Sequence, residues 1–577
     1  MGRYTKLLND LEEVDVIIVG AHHREGGCTG CIVASRLADA DLHLSILIIE
    51  SGTNNQGLPV VDHVSAWLNH VLPGNPYTKF FKGPKSDLLA SQQATVPVGH
   101  ILGGGSSINS LLYNRPQRSD YEAWNTLGWS PDDLLPYMKK EMHGCNGPIQ
   151  VSEGPYRGRR LEGDFISGLD RLEWPEVDDI NCFGSNNGPM RLLKYMSPDG
   201  QRQDTVNIYL RPRLEDGQHP NLHVLLESQV ERVLFERTRA VGVSFRPNPE
   251  CHLDASPDCT QRLKARRLVV ITGGPMFSPL ILERSGIGDP QILNQAGVPI
   301  VADVPGVGAD YEDHNSMMYP YKSSLTPEET MDGILSGRTS LDDMIAAEHE
   351  MLSYNGVDVQ AKLRPTEADV ESLGPDFRAS WDETFKNVPD KPLMMISPVA
   401  AFPGGSSCFG SAQLLTLVTF NLYPFSRGHL HITGPKLDDA VNFDPGLLSD
   451  PKGLDLWPHI WMYKKQRELA RYMKLCHDAL PGSQLTFPAN SKVNLEGPNA
   501  EYSADDDKII ESWIREHVDS TWHPIGTCKM APRGKLGVVA DLSISPHNVG
   551  ANTCNTAMAV AEKAADIIIF ELSLGKK

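Results

Sequence analysis

Val14-Asp15-Val16-Ile17-Ile18-Val19-Gly20 is a short apolar run closed by glycine, the pattern of a strand buried on both faces. Cys31 to Ala38 has the spacing of a helix, and Leu44 to Glu50 is a second apolar run ending in an acid. Strand, glycine-rich turn, helix, strand and acid in that order predict a βαβ nucleotide-binding unit. Leu222 to Leu226 and Leu268 to Thr272 repeat the buried-strand pattern, the latter running into Gly273-Gly274. Pro275 then opens a predicted helix with a glycine stop at Gly286. Asn552 to Leu574, poor in glycine and rich in alanine and isoleucine, predicts a closing helix.

Between these segments the pattern changes. Stretches near 155–220 and 316–500 are richer in Pro, Trp and Tyr, and Gly428-His429-Leu430-His431-Ile432-Thr433 alternates as a strand does. Two interleaved domains account for this. A dinucleotide-binding domain is expected from 12–154, 221–315 and 501–577, and a substrate domain from 155–220 and 316–500. Residues 325–390 read as a helical, acidic insertion with a solvated face. The expected fold class is α/β, a Rossmann-like domain interleaved with an α+β domain on an antiparallel sheet.

Composition narrows the function classes. The 577 residues carry 53 Lys and Arg against 73 Asp and Glu, a net charge of −20. Such a chain repels phosphate backbones and anionic bilayers, so neither nucleic acid nor a membrane surface is an expected partner. No apolar stretch reaches the ~18 residues of a membrane span. The first residues lack a signal-peptide core, and the end, Ser573-Leu574-Gly575-Lys576-Lys577, is not a peroxisomal S-K-L address. Ten scattered cysteines suit reduced thiols, so an intracellular and most simply cytoplasmic location is expected. Cys251 and Cys259 are close enough in sequence for a loop-closing bridge, although the cysteine pattern favours free thiols.

The candidate chemistry begins at the glycine turn. A G-x-G-x-x-G turn places its outer glycines five apart, whereas Gly20 and Gly30 are ten apart. Gly27 and Gly30 keep the G-x-x-G half, and Glu50 follows Gly30 at the ~20-residue offset of an acid that grips ribose hydroxyls. Glycine suits the turn because backbone amides must approach a pyrophosphate closely. His22, His23, Cys28 and Cys31 offer metal-ligand chemistry, but no second pair completes the set, and no metal is expected. A second glycine-rich element, Leu102-Gly103-Gly104-Gly105-Ser106-Ser107-Ile108-Asn109, can lie flat against a planar or phosphorylated ligand.

On these residues the chain resembles the glucose–methanol–choline oxidoreductases, a flavoprotein family. Gly274 to Gly288 fits one family signature throughout, and Gly99 to Asn109 fits another except that His100 replaces the usual Lys, Arg or Asn. Tyr423 to Gly428, Asn442 to Pro445 and Asn548 to Thr553 resemble the alcohol-oxidase branch. The resemblance implies an FAD cofactor and oxidation of a primary alcohol by hydride transfer, with O2 or another acceptor taking the electrons. His523, beside Trp522 in a glycine-turned loop, is the implied base, because a His near pKa ~6.5 can accept a hydroxyl proton. Asn552 is the implied partner on the substrate oxygen, in preference to Asn555, which is off the matching register.

The implied cofactor contacts are Gly20, Gly27 and Gly30 at the pyrophosphate, Glu50 at the ribose and Val230 near the adenine. Gly103, Gly105, Ser106, Asn109 and Trp522 are implied along the flavin's middle and ring, and Asp541 near its ribityl or phosphate part. A flavin-free relative is the alternative, supported by the five extra residues at 21–26; segments near 142 and 539 also read as shorter than in relatives. A lyase on the same scaffold is less compatible with the His523 and Asn552 pair. A homo-oligomeric state is left open.

Overall fold

The computed structural model describes residues 2–7, 11–20, 26–139, 147–184, 187–252, 259–404, 410–480, 485–488, 491–493, 501–530 and 548–574. Two sheets organise it. Across the first run the strands Arg3–Tyr4, Leu222–Leu225, Ile46–Ile49, Glu13–Val19 and Gln261–Ile271, all parallel, followed by Arg239–Pro247 and Ser228–Glu236 in antiparallel array. The apolar runs read from the sequence are the centre of this sheet. Successive side chains point to opposite faces, so Val16, Ile18, Ile46 and Ile48 join one core cluster while Ile17, Val19, Leu47 and Ile49 join another.

The helix Gly26–Ala40 covers the first face, and the closing helix Cys554–Glu571 packs on it, so the chain's last helix returns to the first domain. Arg36 of the first helix makes ion pairs with Glu562 and Asp566 of the last. Among the described residues no helix is long and apolar enough to cross a membrane.

The second sheet is antiparallel, in the order Cys476–Ala479, Asn315–Ser323, Leu414–Asn421, Met394–Val399, Val359–Leu363, Gly188–Arg191. The short strand Asp519–Ser520 adds to the start of Asn315–Ser323. One expectation is corrected here. Residues 325–390 are not simply a surface insertion: short helices such as Glu367–Ser372 and Pro375–Thr384 flank Val359–Leu363, which is buried at all five positions. Its polar residues misled the reading, because both are satisfied inside. Lys362 Nζ donates to the carbonyls of Arg115 and Ile180, at 2.8 and 3.3 Å, and Gln360 accepts from Asn114.

The alternating segment at 428–433 forms the strand His429–Ile432, paired with Val441–Asp444 in a separate ribbon. That ribbon packs on the Pro-started helix Gly274–Arg284, where Glu283 accepts from His431 at 2.6 Å and from the Ile432 amide at 2.8 Å.

Candidate active site

The loop after Asp519–Ser520 carries His523, and a carboxylate at the start of the paired strand, Asp313, shapes it. Asp313 Oδ1 accepts the His523 amide at 2.9 Å, and its Oδ2 accepts the Tyr311 and Ser520 hydroxyls. Ser520 Oγ in turn accepts the Trp522 amide at 2.7 Å. These bonds hold Trp522 at φ +66°, a left-handed conformation uncommon outside glycine. Gly526 closes the loop at φ +93°, where any side chain would run into the Asp310 carbonyl.

Neighbouring Glu312 holds both flanks of residues 531–547. It accepts from Lys529 Nζ at 3.2 Å and from the Asn548 amide at 3.0 Å. The Gly550 amide donates to buried Asp120 at 3.0 Å, which fixes the approach to Asn552.

The two implied catalytic residues meet. Asn552 Nδ2 lies 3.0 Å from His523 Nε2, and His523 Nδ1 lies 3.0 Å from Nδ1 of His314. Burial lowers the His314 pKa to about 4, so its imidazole is neutral near pH 7, and it stacks on Phe420. Both His523 and Asn552 face a cavity of about 120 Å³ on one face of the antiparallel sheet. One wall comes from the antiparallel sheet, with Met318, Val418, Phe420 and Val399 beside Ser316, Ser397 and Gln360. Asn109, Trp522 and Cys554 form the opposite side, and Trp67 meets Trp522 edge to face at 6.4 Å. Asn555 is buried and does not line the cavity.

A second cavity, of about 320 Å³, opens at the carboxyl ends of Glu13–Val19 and Ile46–Ile49, where open α/β sheets receive ligands. Gly20, Ile49, Ser51 and Val230 line it, with Lys79, His100 and Arg284. Glu50 is buried just behind, its Oε1 accepting the Gly52 amide at 2.5 Å. Gly27 sits in the first turn of the helix Gly26–Ala40. Gly30 packs that helix on the sheet: a Cβ there would lie 2.7 Å from Thr272 Oγ1 and 3.1 Å from the Gly20 carbonyl.

The Gly99–Asn109 segment joins the two cavities, His100 lining one and Asn109 the other. Gly103, at φ +81°, turns this segment, and Gly105 and Ser106 begin the short helix Gly105–Ile108. Ser106 Oγ donates to the Gly103 carbonyl at 2.7 Å. Asn109 Oδ1 accepts from buried Arg202 at 3.1 Å. A glycine-rich strap between an adenosine-sized crevice and a cavity holding a His–Asn pair fits a two-ended cofactor such as FAD.

Other expected residues fall elsewhere. Asp541, His22, His23 and the shortened segments near 142 and 539 lie outside the described residues. Cys28 and Cys31 are buried in the helix core, and burial pushes the Cys31 thiol well above its usual range. Cys251 and Cys259 are free thiols. Asp313, His314, Asn114 and Gln360 were not anticipated. Glu312-Asp313-His314 is a polar run ahead of the strand Asn315–Ser323 without a recognisable motif, and nothing local marks Asn114 or Gln360.

The fold joins a dinucleotide-binding type of α/β sheet to a second, antiparallel sheet whose residues line a cavity together with His523 and Asn552. GMC oxidoreductase family models match residues 23–316 and 424–561. An alcohol oxidase of Candida boidinii is 33% identical, with 97% of this chain and 95% of the relative covered. One from Pichia angusta is 34% identical with the same coverage. The Candida boidinii alignment spans 647 positions against 577 residues, so the relative has at least 70 positions without a counterpart. The crystal structure of a formate oxidase superposes with a TM-score of 0.81 at 19% identity, covering 98% of this chain and all of that one. A fungal aryl-alcohol oxidase structure gives 0.74 at 21% identity, covering 97% of this chain and 100% of that one. The chain belongs to the GMC oxidoreductase family, whose members bind FAD.

Proposed function

We propose that the protein oxidises a primary alcohol to the aldehyde, with O2 as the final acceptor. The observation that carries this reading is the His523–Asn552 contact on the wall of a largely apolar cavity. A hydroxyl entering between the two side chains donates its proton to His523 Nε2 and accepts from Asn552 Nδ2. His523 is then the general base, and the Asn552 amide stabilises the negative charge that develops on the alcohol oxygen. Phe420, Val418 and Met318 exclude water and receive the substrate's carbon chain. Asp313 holds the His523 backbone, so the base does not need to reorganise as the proton moves. FAD, held by the residues named below, would supply the two-electron acceptor for the carbon-bound hydrogen, with O2 as the final acceptor and hydrogen peroxide as the product.

The residues assigned to hold it are Gly20, Gly27, Gly30, Glu50 and Val230 at the adenosine and pyrophosphate end. Gly103, Gly105, Ser106, Asn109 and Trp522 take the middle and ring, and Asp541 completes the set. The domain division given above belongs to the same proposal.

Flavin content of the purified protein, followed by peroxide release over alcohols from methanol to benzyl alcohol, tests the reading. Dye reduction without peroxide would identify a dehydrogenase instead, and absence of flavin would overturn the enzyme reading.

A further inference from the structure

The hydrogen bonds around Asn552 form a chain that runs through buried Asn114 to Gln360 on the cavity wall. Asn114 Nδ2 donates to Gln360 Oε1 at 2.6 Å and to Asn552 Oδ1 at 2.8 Å. With its oxygen so used, Asn552 turns Nδ2 toward His523 Nε2, 3.0 Å away. An amide nitrogen only donates, so Nε2 must be the accepting nitrogen and the ring proton belongs on Nδ1. Nδ1 faces Nδ1 of His314 at 3.0 Å, and that ring is neutral and can accept.

The arrangement reverses only as a unit. Turning Asn552 alone sets its nitrogen against the Asn114 nitrogen, and turning Asn114 as well sets its oxygen against Gln360 Oε1. Asn114 and Gln360 are both 1% exposed, so a single turned amide sets like polar atoms against each other in a buried setting.

We propose that Asn114 and Gln360 are positioning residues for the base: they hold the Asn552 amide with its nitrogen toward His523 and so keep Nε2 unprotonated and ready to accept. The proposal rests on the alcohol-oxidising reading of His523 and Asn552, and it assigns a role to two residues outside every sequence motif of the site. It also gives a role to a glutamine buried in the core strand Val359–Leu363. Gln360 anchors, from the substrate sheet, a chain that ends on the base.

The test compares Asn114→Thr with Asn114→Val, side chains of nearly equal shape that differ in one donor. The threonine hydroxyl can still donate to Asn552 Oδ1, and valine cannot. Anaerobic flavin reduction by the best wild-type alcohol should slow about 50-fold in Asn114→Val with KM within about threefold, the split expected when an interaction specific to the transition state is lost. Asn114→Thr should recover to within about fivefold of wild type. Flavin content and melting temperature of both variants identify any loss due to misfolding.

A second readout needs no turnover. Spectra of ¹⁵N-histidine-labelled protein, with His523→Gln to assign the ring, should report Nδ1–H in wild type and Asn114→Thr and a mixture of tautomers in Asn114→Val. Equal rates and equal tautomers in the two variants overturn the proposal. If Asn114→Val does not fold, Gln360→Met carries the test, with an expected fall of about tenfold in rate; an unchanged rate and tautomer overturn it. A wild-type protein whose flavin no alcohol reduces overturns the functional reading instead, while the tautomer spectra still decide the positioning role.

Discussion

The walls of the His523 cavity and the rim of the dinucleotide crevice are held in place by different means. Around His523 the work is done by buried side chains that come from distant parts of the sequence: Asp313 on the loop amide, Glu312 on Asn548, and Asn114 on Asn552. Around the crevice it is done by glycines that let backbone meet backbone. A Cβ on Gly20 would lie 2.8 Å from the Gly273 Cα, and one on Gly99 would lie 2.9 Å from the Gly104 carbonyl carbon. The first arrangement positions charges and protons, and the second leaves room for a ligand. Damage to one side should therefore show in chemistry, and damage to the other in cofactor retention.

His523→Ala makes the sharpest break. Limiting flavin reduction should fall by about 10²–10⁴, the usual worth of a general base, with flavin content unchanged. Full turnover on the best alcohol would remove His523 from its assigned role. Asp313→Ala comes next, because it strips the acceptor from the His523 amide and from two buried hydroxyls. At about 1–3 kcal/mol for a buried donor left unsatisfied, denaturant unfolding should show a loss of about 3 kcal/mol, with reduced turnover but retained flavin.

Gly30→Ala probes the other side. Crowding of Thr272 and Gly20 should cost about 1–3 kcal/mol and reduce the flavin:protein ratio while sparing the His523 loop. Wild-type flavin content in that variant would mean the helix–strand contact is not critical.

The smallest effect is a pH slope. Burial raises the Asp519 carboxyl from 3.8 to about 6. A raised folded-state pKa favours folding fully below the unfolded value, and that stabilisation is lost as pH climbs through about 6. Asp519→Asn should therefore flatten part of the decline in melting temperature between pH 4 and 7. Parallel wild-type and variant curves would exclude this contribution.

The same contrast governs what the sequence discloses. Parallel strands buried on both faces are largely apolar, and close backbone approach requires glycine, so the strand from Val14 to Gly20 and the packing glycine Gly30 could be read directly. His523 and Asn552 were legible through the family's motif, since one histidine among 19 has no local mark. Asp313, His314, Asn114 and Gln360 act through contacts more than 100 residues apart, which no local pattern records. The strand Val359–Leu363 was misread for the reason it matters. Gln360 and Lys362 resemble surface residues until their buried partners are known.

Glu312 has a consequence for how such a protein can vary. A single carboxylate grips Lys529 on one side and Asn548 on the other, so the segments that carry His523 and Asn552 are registered to the same strand end rather than to each other through the intervening chain. Insertions or deletions between those anchors change the contour length while the spacing of His523 and Asn552 stays tied to one fixed post. A lineage can therefore lose or gain residues there without changing how the segments carrying His523 and Asn552 are tied to Glu312.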